Sequence, residues 1–210
     1  MSFKGVLQAS VVATVLSSGA ASAATIFSDN FQSGNLNNWI ISDSNPTDIF
    51  NFNFGGTQGR VMYFRAGDGS DPDGTATATS SIPNTSAYTN LQLSFQWYAR
   101  SENETSDTLQ VQWRTAGVGN WNTIITLASE GTGGLFLNSG LLNIGAPVGT
   151  DIDLRFVLNL SQENEGFKID NIVLSGTLPV PGPFAGAGLP GLALAFGGLM
   201  LWRRWRQYAA

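Results

Sequence analysis

Apolar and polar residues alternate along most of the middle of the chain. From Leu91 to Trp97, every second residue is leucine, phenylalanine or tryptophan, with glutamine or serine between them. The segments 109–113 and 152–160 repeat this period of two. Because successive side chains of a strand point to opposite faces, each segment is predicted to be a strand with one buried face. Weaker strand candidates are 49–54, 60–65, 75–82, 121–127, 135–144 and 167–175.

The candidate strands are short, and clusters of Gly, Asn, Asp and Pro separate them. Nine or ten such strands without a helical segment, in about 150 residues, predict an all-β antiparallel sandwich over residues 24–177. The alternation changes parity once within the last candidate strand, between Ile169 and Ile172. A β-bulge is therefore expected at Asp170–Asn171, where it would redirect the Asp170 side chain.

The two ends of the chain carry apolar segments of another kind. Residues 1–23 combine a lysine, a short apolar run and a small-residue site, which are the three parts of a secretory signal peptide, and we expect cleavage between Ala23 and Ala24. Residues 184–202 contain no charge and would span about 28 Å as a helix, close to the ~30 Å hydrocarbon core of a bilayer. This segment is predicted to be one transmembrane helix.

A basic tail, residues 203–210, follows the predicted helix. Its arginines Arg203, Arg204 and Arg206 are expected on the cytoplasmic side. With a signal peptide in front, the C-terminal helix would anchor the protein with residues 24–177 outside the cytoplasm.

A proline-rich linker, residues 178–183, joins the predicted sandwich to the predicted helix, and it contains Val180, Pro181, Gly182 and Pro183. The order of this motif, a Gly-rich segment, the apolar span and the arginine cluster resembles the PEP-CTERM sorting signal of Gram-negative bacteria. It would be a V-P-x-P variant, with Gly182 where the family has Glu. The resemblance implies an exosortase-like membrane enzyme as a partner and a role linked to exopolysaccharide or biofilm. It also implies an anchor in the inner membrane with the ectodomain in the periplasm, and delivery to the cell surface or the extracellular space after processing. The alternative is a plain C-terminal anchor that no enzyme cleaves.

The body of the chain also resembles a known group. The segments 27–31, 91–98 and 169–176, in this order, resemble jelly-roll sandwiches of the concanavalin-like and MAM-like type, without the cysteines of animal MAM domains. In such jelly rolls the first and last strands are neighbours, and an acidic residue from each helps to hold calcium. The resemblance implies that Asp29 and Asp170, with Asn30, share a Ca²⁺ ion. Alternatively, Asp29 caps a turn and Asp170 is solvated.

Composition narrows the chemistry. The chain has no Cys and no His, which excludes disulfides, zinc fingers and a Ser-His-Asp triad. Any metal would be a hard cation such as calcium, for which Asp68, Asp71 and Asp73 form a second, weaker candidate loop. Residues 24–177 hold all 15 acidic residues against six basic ones, a net charge of −9. This acidity disfavours a nucleic-acid partner.

Two aromatic residues are candidates for contacting a sugar. Tyr98 has the parity opposite to the apolar face of its strand, and Trp121 follows a Gly-Asn turn, whereas Trp97 and Trp113 are expected in the core. A non-enzymatic, exported binding or adhesion protein of the cell surface or extracellular matrix is therefore the leading hypothesis, with a polysaccharide as candidate ligand and calcium as the one candidate cofactor. Alternatives are a secreted glycoside hydrolase or lyase, for which Glu102 and Glu104 are the nearest acid pair, and a passive coat protein.

Overall fold

The computed structural model describes residues 22–42, 49–65, 75–128, 130–162, 164–179 and 197–198. Nearly all of them belong to one compact unit, Ala21–Pro179. The sorting motif 180–183, the arginines of the tail and the Asp68 loop lie outside the described residues, as do nearly all of the predicted signal peptide and membrane helix. Within the described part of the chain, no helix is long and apolar enough to cross a bilayer.

The unit is a sandwich of two antiparallel sheets, as the alternation predicts. The first sheet contains β1 (Ala23–Asp29), β3 (Ile49–Gly55), β4 (Gly59–Arg65), β6 (Thr89–Ala99), β9 (Leu137–Asn138), β10 (Leu142–Asn143) and β12 (Gly166–Thr177). The second contains β2 (Ile40–Ser42), β5 (Thr75–Ile82), β7 (Thr108–Thr115), β8 (Asn122–Ala128) and β11 (Ile152–Asn159). A short 3-10 turn, Thr85–Ala87, precedes β6.

The core lies between the sheets and is built from the apolar parity of each strand. The Phe156 ring of β11 is at its centre, with centroids 5.5 Å from Trp39, 6.1 Å from Phe64 and 5.7 Å from Phe95. Because Phe64 and Phe95 belong to the first sheet, these contacts join the two layers. In most strands the polar parity points away from the core and forms the two outer faces; β3 is an exception, described below.

The predicted strands agree with the structure except at 135–144, where the prediction of one strand is wrong. Only the residue pairs in β9 and β10 form strand ladders with β6, and Gly140, with a φ of 71°, turns the chain between them. Neither β1 nor the three-residue β2 was among the predicted strands, and β2 is too short to show a period. Trp97 and Trp113 pack half-buried against the core, as expected.

β12 is the central strand of the first sheet. It pairs with β6 along its length, whereas on its other side Gly166–Ile169 pair with β4 and residues 172–177 pair with β1. The pairing of β1 with β12 confirms that the first and last strands are neighbours. The register with β6 shifts between Asp170 and Val173, and Asn171 has a φ of 50°, so the predicted bulge is confirmed. It lies where β12 changes partner.

Candidate functional site

A row of aromatic side chains crosses the outer face of the first sheet. Tyr98 of β6 pairs with Lys168 of β12, Lys168 pairs with Tyr63 of β4, and Tyr63 pairs with Phe50 of β3. The four positions therefore lie in line across four strands, a distance of about 14 Å. We call this line, together with Phe52, Phe54 and Phe136 beside it, the aromatic face.

The rings of the aromatic face contact one another. The Phe54 centroid lies 5.7 Å from that of Tyr98 and 5.3 Å from that of Phe136, and the Phe50 centroid lies 5.2 Å from that of Tyr63. Phe54 is 37% exposed, so it offers ring surface to solvent. Since rings of this kind stack on the apolar faces of sugars, the arrangement suits a carbohydrate chain lying across the strands.

Lys168 lies in the middle of these rings. Its Nζ is 4.1 Å from the Tyr98 centroid, 4.4 Å from that of Tyr63 and 5.5 Å from that of Phe54, distances at which an ammonium group is attracted to the ring face. The residue is only 6% exposed. Burial lowers the pKa of Lys168 to about 8, and the positive charge of Arg100 adds to the lowering.

A patch of amide side chains continues the same outer face. Gln96 is its centre: its Oε1 accepts hydrogen bonds from Gln58 at 3.2 Å and Asn171 at 2.9 Å, and its Nε2 donates to Asn138 at 3.3 Å. A shallow groove of about 330 Å³ runs past Gln96, Asn138 and Asn171. Amides can donate to and accept from sugar hydroxyls, so polar and stacking groups lie side by side on one sheet.

The bulge brings Asp29 and Asp170 close together at the end of this patch. Asp170 is 1% exposed, and its Oδ1 accepts a hydrogen bond of 2.7 Å from the Asn171 backbone N–H. Burial raises the pKa of Asp170 to about 6, and the Asp29 carboxylate adds to this. The alternative that Asp170 is a solvated surface residue is therefore wrong.

Asp29 caps the turn that follows it, which was the alternative to calcium binding. Its Oδ1 accepts a hydrogen bond from the Phe31 N–H, and its Oδ2 accepts from Asn38 and from the Trp39 indole. A groove of about 420 Å³ lies beside it, lined by Asn30 and Asn171 among others. Among the described residues, no three acidic side chains come together as a metal cluster. Calcium binding by Asp29, Asn30 and Asp170 would therefore depend on two carboxylates plus amide and carbonyl oxygens, and it stays a prediction.

The structure does not bring Tyr98 and Trp121 together. Tyr98 belongs to the aromatic face, whereas Trp121 lies at the outer face of the second sheet. The guanidinium carbons of Arg155 and Arg114 are 4.0 Å and 4.5 Å from the centroid of the Trp121 ring. Because these cations already stack on Trp121, Tyr98 is the better placed of the two for a sugar.

Glu102 and Glu104, the acid pair considered for hydrolysis, lie in a loop and not on one face of a strand, and Glu102 pairs with Arg100 at 3.2 Å. Another pair, Asp107 and Glu165, is almost fully buried, so a substrate could not reach it. Its carboxylates accept hydrogen bonds from the backbone at Glu104, Ser161 and Gln162 and join two loops.

Most of the aromatic face was not identified from the sequence. Tyr98 was found from its parity, and Lys168 and Tyr63 could have been found in the same way once their strands were aligned. In β3, phenylalanine alternates with asparagine, which would normally predict that the rings face the core. The opposite is true because Ile49 pairs with the core residue Phe64, so Phe50 and its successors of the same parity point outward.

Comparison with known proteins gives a fold but no family. No protein-family model matches the chain, and no curated protein matches it in sequence. Among solved structures, the K2 cleaved adhesin domain of Lys-gingipain is similar with a TM-score of 0.53 and 12% identity, over 73% of this chain and 99% of that chain. The enzymatically active domain of tailspike protein 4 of bacteriophage CBA120 is similar with a TM-score of 0.51 and 19% identity, over 70% of this chain and 20% of that one.

A carbohydrate-binding module that recognises mannan, TmCBM27, matches with a TM-score of 0.45 and 13% identity, over 74% of this chain and 99% of that chain. At these identities, the two likenesses with TM-scores above 0.5 show the fold alone. This fold is shared with an adhesin domain and with part of an enzyme domain, so function has to be argued from the site.

Proposed function

We propose that this protein binds a polysaccharide through the outer face of its first sheet and acts as a non-catalytic adhesion or matrix protein. The observation that carries the proposal is the aromatic face, in which Tyr98, Tyr63 and Phe50 lie in line across the strands beside exposed Phe54. Ring stacking supplies contact area, and the neighbouring amide patch supplies hydrogen bonds that orient a sugar.

Affinity electrophoresis against a panel of soluble polysaccharides tests this proposal. The full-length chain would be kept in a polyoxyethylene detergent, since a sugar-based detergent could occupy the site. We expect at least one polysaccharide to retard the protein, and Tyr98→Ala or Phe54→Ala to abolish the retardation. Trp121→Ala is the matched control on the other sheet and should migrate like the wild type. If only the Trp121 variant lost binding, the binding site would lie on the second sheet and the proposed site would be wrong.

We further propose that the protein is exported as a PEP-CTERM substrate with a jelly-roll ectodomain. Support comes from the signal peptide, the motif Val180–Pro183, the apolar segment 184–202 and the arginine tail. Ala23 and Ala24 are the first residues of β1, so cleavage between them would leave nearly all of that strand in place. Mass spectrometry of the protein from its host, with and without an exosortase-like enzyme, tests the idea. An intact C-terminus in both strains would mean that the C-terminal segment is a plain anchor that no enzyme cleaves.

Calcium is proposed as an accessory ligand at Asp29, Asn30 and Asp170. Support comes from the proximity of two carboxylates at the bulge and from the oxygen-rich groove beside Asp29. Isothermal titration of the chelator-treated protein with CaCl₂ tests this, with MgCl₂ as the control ion. Binding of calcium that persists unchanged in Asp170→Asn would exclude this site.

A further inference from the structure

Lys168 carries a buried positive charge that forms no ion pair among the described residues. The ion pairs of this part of the chain are Arg100–Glu102 and Arg114–Asp153, and the Nζ of Lys168 lies over three rings instead. Removing an ammonium group from water costs free energy unless an opposite charge compensates it. The rings offset part of this cost through cation–π attraction. The Glu102 carboxylate, which pairs with Arg100, also acts on the Lys168 charge, but its effect is smaller than the opposing effect of Arg100.

Two more cations lie at the edges of the same face. The Arg65 guanidinium carbon is 5.8 Å from the Phe50 centroid, and Arg100 donates a hydrogen bond of 2.9 Å to the Tyr63 hydroxyl. Half of the six basic residues in residues 24–177 therefore surround one row of rings, although that segment has a net charge of −9. The overall negative charge of this segment repels acidic polymers, whereas the local cluster of cations beside the rings attracts them. An acidic polymer would therefore be directed to this face.

We propose that the ligand of the aromatic face is an acidic polysaccharide whose sugar rings carry carboxylate groups. The sugar rings stack on Tyr98, Phe54 and Phe50, and a carboxylate is drawn to the charge of Lys168, with Arg65 and Arg100 at the edges of the site. This inference rests on the proposed function and specifies its ligand class. A neutral polysaccharide would use the rings but would leave Lys168 without an ion-pair partner among the described residues.

A matched pair of ligands isolates the carboxylate. Polygalacturonate and its fully methyl-esterified form share one backbone and differ only in charge. We expect the full-length chain to bind polygalacturonate about tenfold more tightly or better, which corresponds to about 1.4 kcal/mol. Dextran sulfate and neutral dextran form a second pair, and retention by dextran sulfate equal to that by polygalacturonate would overturn the choice of carboxylate in favour of anions in general.

A matched pair of variants isolates Lys168. Lys168→Met and Arg155→Met each remove one positive charge, but Arg155 lies on the other sheet. Lys168→Met should lose the preference for polygalacturonate and keep its weak binding of the ester, whereas Arg155→Met should bind both like the wild type. Lys168→Arg, which keeps the charge, should retain part of the preference. Circular dichroism and thermal melting verify that each variant is folded.

The outcomes distinguish a failure of the acidic specificity from a failure of polysaccharide binding itself. Equal binding of polygalacturonate and its ester, or equal losses in Lys168→Met and Arg155→Met, would overturn the acidic ligand. If neutral polysaccharides bound in a Tyr98-dependent manner, the aromatic face would stand as a sugar-binding site and the acidic specificity would be wrong. If no polysaccharide of either kind bound the wild type, the proposed function itself would fail.

Discussion

Replacing Asp170 by asparagine should stabilise the protein at neutral pH in the absence of divalent ions. The carboxylate is buried beside Asp29, and its pKa is raised from 3.8 to about 6. A carboxyl group with a raised pKa favours the folded state most below the unfolded value and loses that contribution as the pH rises through the folded value. The wild type therefore loses about 3 kcal/mol of unfolding free energy between about pH 4 and pH 6 from this group.

The substitution also removes one contact, which sets the net magnitude. The new amide side chain would keep an oxygen for the Asn171 backbone N–H, but the 3.2 Å hydrogen bond that the Asn171 side chain donates to the second Asp170 oxygen would be lost. A lost hydrogen bond of this kind costs about 1 kcal/mol. We expect Asp170→Asn to raise the unfolding free energy by about 2 kcal/mol at pH 7.5, because the relief of about 3 kcal/mol exceeds this cost.

Urea unfolding followed by tryptophan fluorescence, in EDTA at several pH values, measures this difference. The advantage of Asp170→Asn should fall as the pH drops below 6 and should disappear or reverse below about pH 4, where the wild-type carboxyl is protonated. Added calcium should then stabilise the wild type and not the variant if Asp170 is a ligand. A variant less stable than the wild type at pH 7.5 in EDTA would refute the reasoning on burial.

Three further substitutions test other parts of the sandwich. Asp153→Asn should lower the unfolding free energy at neutral pH, and the difference from the wild type should become smaller in acid. The reason is that the hydrogen bonds from Gly117, Ser81 and Arg114 lower the pKa of Asp153 below its ordinary value despite its burial. Urea unfolding curves at pH 7 and pH 3 check the sign of this change. Gly166→Ala should destabilise strongly or prevent folding, since its new Cβ would lie 2.5 Å from the Phe64 carbonyl oxygen; thermal melting measures this, and an unchanged midpoint would contradict it. Phe156→Ala should cost about 3–5 kcal/mol in urea unfolding by opening a cavity between the sheets, and a loss below about 1 kcal/mol would mean that the core closes around the gap.

The sandwich could be predicted from the sequence because one face of each strand is buried along its length, and this produces a period of two that can be read within the strand itself. Thr75–Ile82 has the predicted bounds, and the parity change at Asp170–Asn171 located the bulge. The aromatic face depends on register between strands that are far apart in the chain. Lys168 lies opposite Tyr98 and Tyr63, at separations of 70 and 105 positions, and no local pattern encodes that alignment.

The edge strand β3 shows a second limit of sequence patterns. Its phenylalanines alternate with Asn51 and Asn53, yet the asparagines share the parity of the core residue Ile49. Asn51 is satisfied there, since it donates to the Phe31 carbonyl oxygen and accepts a hydrogen bond from Arg60. Polar partners in the turn at Phe31 and on the neighbouring strand β4 therefore reverse the assignment of faces that hydrophobicity alone would give.

The position of β12 has a consequence for the time course of folding. This strand comes last in the sandwich but lies inside the first sheet, where it joins β6 on one side to β1 and β4 on the other. The first sheet cannot close until residues 166–177 are available, so a growing or partly exported chain would hold its earlier strands unpaired at that seam. Such long-range closure slows folding. If the chain is exported as proposed, the first sheet would close only after residues 166–177 have left the translocation pore.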